Sequence, residues 1–157
     1  MIEWSRIVRD VFYLDGSLRD IYVLGTSEHD WQAMLAYLRV SPYPLEYLVD
    51  GEMRPLPEHV AEIFALTEDH FVVLQIDRAR LGLKCHFFTP QQIECDLDPK
   101  DFQDEQYVSS LLDFMRSIGR AVNKPIILTG ENVAERPLFR YNPATNEETW
   151  FLEENWG

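Results

Sequence analysis

The side chains of this chain that could do chemistry are few and do not converge on one reaction. Cys85 and His86, with Cys95 a short distance on, form the one neighbourhood of soft metal ligands. If Thr89-Pro90-Gln91 is a three-residue hairpin loop, Cys85 faces Cys95 on one side while His86 faces Glu94 on the other. One zinc ion cannot then reach all three, because successive strand residues point to opposite faces. The two thiols do come face to face, close enough to form a disulfide under oxidation; in a reducing compartment they act as small buried apolar groups. The histidines, His29, His59, His70 and His86, include no pair at the spacing of helical zinc ligands. Neither a Gly-x-Ser-x-Gly elbow, a Walker loop nor Gly-x-Gly-x-x-Gly is present, and the seven glycines are scattered as turn markers. The expectation is no catalytic residue, no cofactor and no metal.

Carboxylates are abundant, 27 Asp and Glu against 14 Lys and Arg, so spacing alone cannot single out an acid-base pair. The run Asp96, Asp98, Asp101, Asp104, Glu105 resembles a calcium loop only superficially. Counted from Asp96, Lys100 falls on the third ligand, Asp101 on the required glycine and Tyr107 on the bidentate glutamate. Acids there suit the start of a helix, where they complement its dipole and cap free amides. Asp10, Asp20 and Glu46 stand out because they interrupt apolar strand patterns, where a charge must find a partner or shift its pKa. Arg9, Arg19 and Arg54, in the same strands, are the expected partners.

Large rings supply the other candidates. Trp31 and Phe114 belong to apolar helical stripes and read as core. Trp4, Tyr43, Tyr141, Trp150 and Trp156 fall near the termini or proline-flanked loops, where they either close the ends of the core or serve as contact anchors. With Asp20 and Glu46 they make up the candidate binding set.

These residues must be held by local elements that the pattern partly reveals. Ile7 to Leu14 and Leu18 to Leu24, separated by Asp15-Gly16, read as a hairpin. Ser27 caps a helix with Trp31, Met34, Leu35 and Leu38 on one stripe, stopped by Ser41-Pro42-Tyr43-Pro44. Asp50-Gly51 marks a second hairpin between Leu45 to Val49 and Glu52 to Arg54. From Pro57, Val60 to Phe64 fits a short helix, although Val60/Glu62/Phe64 also alternates like a strand. Phe71 to Ile76 reads as a buried strand. The stretch Leu83 to Leu97 is the clearest hairpin: Leu83 faces Leu97, Phe87 faces Ile93 and Lys84 faces Asp96, so apolar meets apolar and charge meets opposite charge. Asp101 or Asp104 caps the longest helix, with Tyr107, Leu111, Met115, Ile118 and Val122 on its stripe, ending at Asn123-Lys124-Pro125. Ile126 to Thr129, Pro137 to Tyr141 and Thr149 to Leu152 complete the strands.

This order predicts one α+β domain over residues 1–157, an antiparallel or mixed sheet with two or three helices packed on one face. The matching Asp-Gly turns suggest an alternative of two ββαββ halves. With 157 residues, 46% hydrophobic and 13% aromatic, the chain can bury about 70% of its extended surface without a staple. No apolar run is long enough to span a bilayer and no secretory leader is evident, so the cytoplasm is the expected location.

A formal charge of −13, spread over both halves, opposes binding to nucleic acid or to an anionic membrane. It favours a protein-binding module that engages a basic partner through carboxylates around aromatic anchors. Small inhibitors that neutralise basic nucleases, as bacterial immunity proteins do, resemble this chain in size and charge, though no motif carries the likeness. A small-molecule module with an aromatic pocket is the runner-up, and a hydrolase-type enzyme a more distant reading. Self-association is a further expectation if Pro137 to Tyr141 is an unpaired edge strand. The interaction reading requires that the acids form a coherent face and are not each neutralised by a neighbouring guanidinium.

Overall fold

The computed structural model describes residues 3–152. Its first element departs from the expected hairpin: Trp4–Val11 is a helix, α1, and only Arg19–Leu24 is a strand, β1. Ile7 and Val11, one turn apart, share a buried face, and Asp10 meets Arg6 of the preceding turn at 3.3 Å and Arg9 at 2.8 Å. Only a helix brings the i−4 guanidinium to that buried carboxylate. The Asp15 carboxylate accepts the N–H and hydroxyl of Ser17, and Gly16 has a φ of +85°, so the first Asp-Gly shapes a loop between helix and strand. Without that hairpin, two ββαββ halves built on matching Asp-Gly turns do not arise.

Arg19 ties the two elements together. It is 1% exposed, and its guanidinium donates to the carbonyls of Val11 at 2.6 Å, Tyr13 at 2.8 Å and Leu18 at 3.0 Å. These include carbonyls that the end of α1 leaves unpaired.

The next elements follow the sequence pattern. Helix α2 is Glu28–Val40, entered through a capping box in which the Ser27 N–H donates to the Asp30 carboxylate at 3.1 Å. Strands β2 (Leu45–Val49) and β3 (Glu52–Arg54) turn at Asp50 and Gly51, whose φ values of 52° and 82° are those of a tight hairpin. Val60–Leu66 is helix α3, burying Val60 and Ile63 on one side, so the helical option holds there. β4 is Val72–Ile76, β5 Leu83–His86 and β6 Gln92–Leu97. The β5–β6 register sets Lys84 opposite Asp96, Cys85 opposite Cys95 and His86 opposite Glu94, as the alternation requires. A 3-10 turn, Pro99–Phe102, leads to helix α4 (Glu105–Val122), with Asp104 at its N-cap. β7 (Ile126–Gly130), β8 (Pro137–Asn142) and β9 (Glu147–Trp150) follow.

The nine strands of the described residues form one antiparallel sheet in the order β3-β2-β4-β5-β6-β1-β7-β8-β9, which with the four helices described makes an α+β architecture. Ile21, Leu74, Cys85, Cys95, Leu128 and Phe139 from the strands join Trp31, Leu35, Leu111 and Met115 from the helices in the main core. Tyr22, Val73 and Ile127 are also buried but point to the opposite side, outside that core. The helices thus cover one face and leave the other open. Pro137 to Tyr141 is not an edge, because β8 pairs with both β7 and β9; among the described residues the edges are β3 and β9. No helix among the described residues is long and apolar enough to cross a membrane.

Candidate binding face

The open face of the sheet brings together charged groups from strands distant in sequence. Register places Met53, Leu48, Val73, His86, Glu94, Tyr22, Ile127, Arg140 and Thr149 in one row across all nine strands. The row beside it runs Glu46, Gln75, Lys84, Asp96, Asp20 and Thr129. One end of this surface is apolar and its centre is acidic.

At the centre, Asp20 lies opposite Asp96, and Tyr22 lies opposite Glu94. Asp20 is 4% exposed; its Oδ2 accepts the Tyr22 hydroxyl at 3.0 Å and the Asn132 N–H at 2.7 Å. Burial pushes its pKa up, and the nearby Asp96 and Glu131 charges add to the rise against the two hydrogen bonds. Glu94 is pushed up as well, by burial first and then by Asp20, while the Gln92 amide donates to it at 2.9 Å. Burial, then the bond to Asp20, raises the Tyr22 phenol far out of its ordinary range. Asp96 takes His86 Nε2 at 2.7 Å, a diagonal contact across β5 and β6, and His86 stacks on Phe88 with ring centroids 5.0 Å apart. Among the described residues no lysine or arginine forms an ion pair with Asp20, Glu94 or Asp96. Lys84 is the one cation on the β5–β6–β1 part of this face.

Away from the centre, many acids are locally balanced. Asp10 pairs with Arg6 and Arg9, Asp113 and Glu148 with Arg116, Asp30 with Lys124, and Asp98 with Lys100. These pairs offset only part of a net charge of −13, and what sets the Asp20 group apart is that its acids sit close together on adjacent strands, with Asp20 buried.

Next to it, at the apolar end, the face carries an open cavity of about 350 Å³ whose lining includes Leu18, Leu48, Phe71, Val73, His86 and Asp96. Phe71 on its lining is 64% exposed, and Phe88, stacked on His86, and Met53, opposite Leu48, are 65% and 66% exposed. The second Asp-Gly turn holds this rim in place. The Asp50 carboxylate accepts the Phe71 N–H at 2.9 Å and meets His70 Nδ1 at 2.6 Å, and the Asp50 N–H donates to the Phe71 carbonyl at 2.8 Å. The contact with His70 holds the Asp50 carboxyl below its ordinary value, helped by the Phe71 amide.

The candidate binding set disperses over this structure. Asp20 lies at the centre of the open face, but Arg19 does not pair with it, since alternation sends that guanidinium to the helix side. Glu46 is on the same face toward its apolar end, and its nearest cation is Arg78 at 3.9 Å; Arg54 instead approaches Glu52 at 4.0 Å. Trp4 is half-buried against the core, Tyr43 packs edge-on to Phe114 and Trp150 packs on Phe139. Tyr141 is 1% exposed, with its hydroxyl donating to Asn146 and accepting from Arg120, so its ring has no free surface for a partner. Trp156 lies outside the described residues. Sequence reasoning missed Glu94 and Asp96 as neighbours of Asp20, and Phe71 and Phe88 as exposed anchors. The alternation of Lys84, His86, Glu94 and Asp96 already marked a polar face; what lay hidden was that β1 docks beside it. No protein-family model matches the chain, and neither a curated protein nor a solved structure matches it.

Proposed function

We propose that this chain is a protein-binding module that engages a basic partner, in the cytoplasm, through the open face of its sheet. The observation that carries the reading is the group Asp20, Glu94 and Asp96: three carboxylates on adjacent strands, without an arginine or lysine ion pair among the described residues, beside exposed aromatic surface. Charges held close together and partly desolvated are stabilised when a cation arrives, and an apolar patch with a charged border has the anatomy of a contact surface. An inhibitor of a basic enzyme is the form of this function that the size and charge favour.

The test is affinity capture from the native cell at low and high salt, followed by association kinetics with the recovered protein. Asp20→Asn with Glu94→Gln should slow association about tenfold at low ionic strength and flatten its salt dependence. Glu62→Gln with Glu68→Gln, on and just after helix α3, removes the same formal charge and should change the rate far less. Equal slowing by both pairs would reduce the effect to net charge and overturn the assignment of the face.

A further inference from the structure

We infer that the cavity beside the carboxylates is a socket for one large aromatic side chain of a segment that also carries a lysine or arginine about 10 Å away. This deepens the proposed function and rests on it for the identity of the face.

The cavity, about 350 Å³, sits at the lower end of the range spanned by ligand pockets, and its floor is apolar, Leu48 and Val73 from β2 and β4. Its wall is Phe71, whose backbone is tied to the β2–β3 turn by two hydrogen bonds with Asp50, while the neighbouring His70 meets the same carboxylate. Such a socket gains most from a ring, which buries about 150–250 Å². Gln75 and Lys84 also line it, so the wall nearest β5 is polar.

Charge then selects the segment. Asp96 is on the rim, and Asp20 and Glu94 lie just beyond it. Lys84, which lines the cavity and faces Asp96 in register, is one cation against three carboxylates, and His86 is the group in contact with Asp96. From the cavity floor on β4 to β6 is two strand spacings, about 10 Å, which sets the distance between the ring and the cation it accompanies. The inferred ligand is thus an extended aromatic-basic segment crossing the strands.

The experiment follows valine and leucine methyl resonances of the full chain during titration with a blocked tryptophan-glycine-glycine-arginine tetrapeptide and with its glutamate counterpart. The expected result is saturable shifts at Leu18, Leu48 and Val73, with the arginine peptide binding about fivefold or more tightly at low salt. Phe71→Ala, at an exposed position, should weaken both peptides, whereas Glu94→Gln should narrow the difference between them. Equal affinity for the two peptides, or shifts lying elsewhere on the fold, would overturn the inference. Failure to capture a basic protein would instead overturn the proposed function and leave these shifts untouched.

Discussion

Asp20 and Asp96 face each other across β1 and β6 on the open side of the sheet, and only Asp96 has a basic ring, that of His86, against it. The Asp96 charge adds to the rise that burial causes in the Asp20 pKa. The surrounding charged and titratable groups are Tyr22 on β1, Glu94 on β6, Lys84 and His86 on β5, and Glu131 after β7.

The first prediction concerns pH. Asp20 and Glu94 have raised pKa values in the folded chain, so between about pH 4 and those values the folded state binds more protons than the unfolded state. Their contribution to stability is present at the acidic end and is lost as pH rises through the folded pKa. Asp10, Asp15 and Asp50 are lowered, chiefly by hydrogen bonds from Arg9, Ser17 and His70, and act with the opposite sign at lower pH. Asp20→Asn should therefore lose less stability than the parent between about pH 4 and 7, measured by urea unfolding at stepped pH. A parallel pair of curves would show that Asp20 is not the strained acid.

Arg19 gives a prediction about folding. Its guanidinium, 1% exposed, joins the end of α1 to β1 through backbone carbonyls and lies over the Tyr13 ring at 4.5 Å. Arg19→Met should cost about 3 kcal/mol or more, since each buried acceptor left unpaired costs about 1–3 kcal/mol. Arg19→Lys should recover only part of that loss, because an ammonium cannot reproduce the planar fork. Chemical denaturation of both variants measures the difference.

Helix α4 approaches the sheet closely at Gly119, where an added Cβ would lie 3.0 Å from the Tyr141 ring and 3.3 Å from Ile126 Cγ2. Gly119→Ala should destabilise by about 1–3 kcal/mol despite its better helix propensity. Thermal unfolding would show it as a lowered Tm, and an unchanged or raised Tm would mean that Tyr141 yields.

The cysteines are opposite each other in register, and both are buried and free. Contact with Cys85, reinforced by burial, pushes the Cys95 thiol well up, so little thiolate forms. A thiol reagent at pH 8 should label neither cysteine in the native chain and both in denaturant, with native labelling limited by the unfolding rate. Rapid labelling of either one would mean that β5 and β6 open locally.

Legibility in the sequence followed the range of the interaction. The β5–β6 hairpin was readable because a short loop and two alternating faces, Cys85/Cys95 and His86/Glu94, agree on one register. Helix α2 was readable from Ser27, Asp30 and the Trp31 stripe. Helix α1 was not, because Val11 and Phe12 run close to an Asp-Gly pair that is good hairpin chemistry; the Arg6 to Asp10 spacing was the contrary signal. Asp20 was recognisable as a charge in an apolar strand, but the acids beside it belong to a strand much later in the chain, and no local pattern encodes that pairing. Phe71 read as part of a buried strand, whereas it precedes β4 and projects to solvent.

Because at least four strands separate β1 in the chain from its two neighbours, β6 and β7, its hydrogen-bonding flanks stay vacant during synthesis until Gln92–Leu97 and Ile126–Gly130 have been made. Assembly of the middle of the sheet must wait for long loop closures, which slows it and prolongs the exposure of two unpaired strand edges.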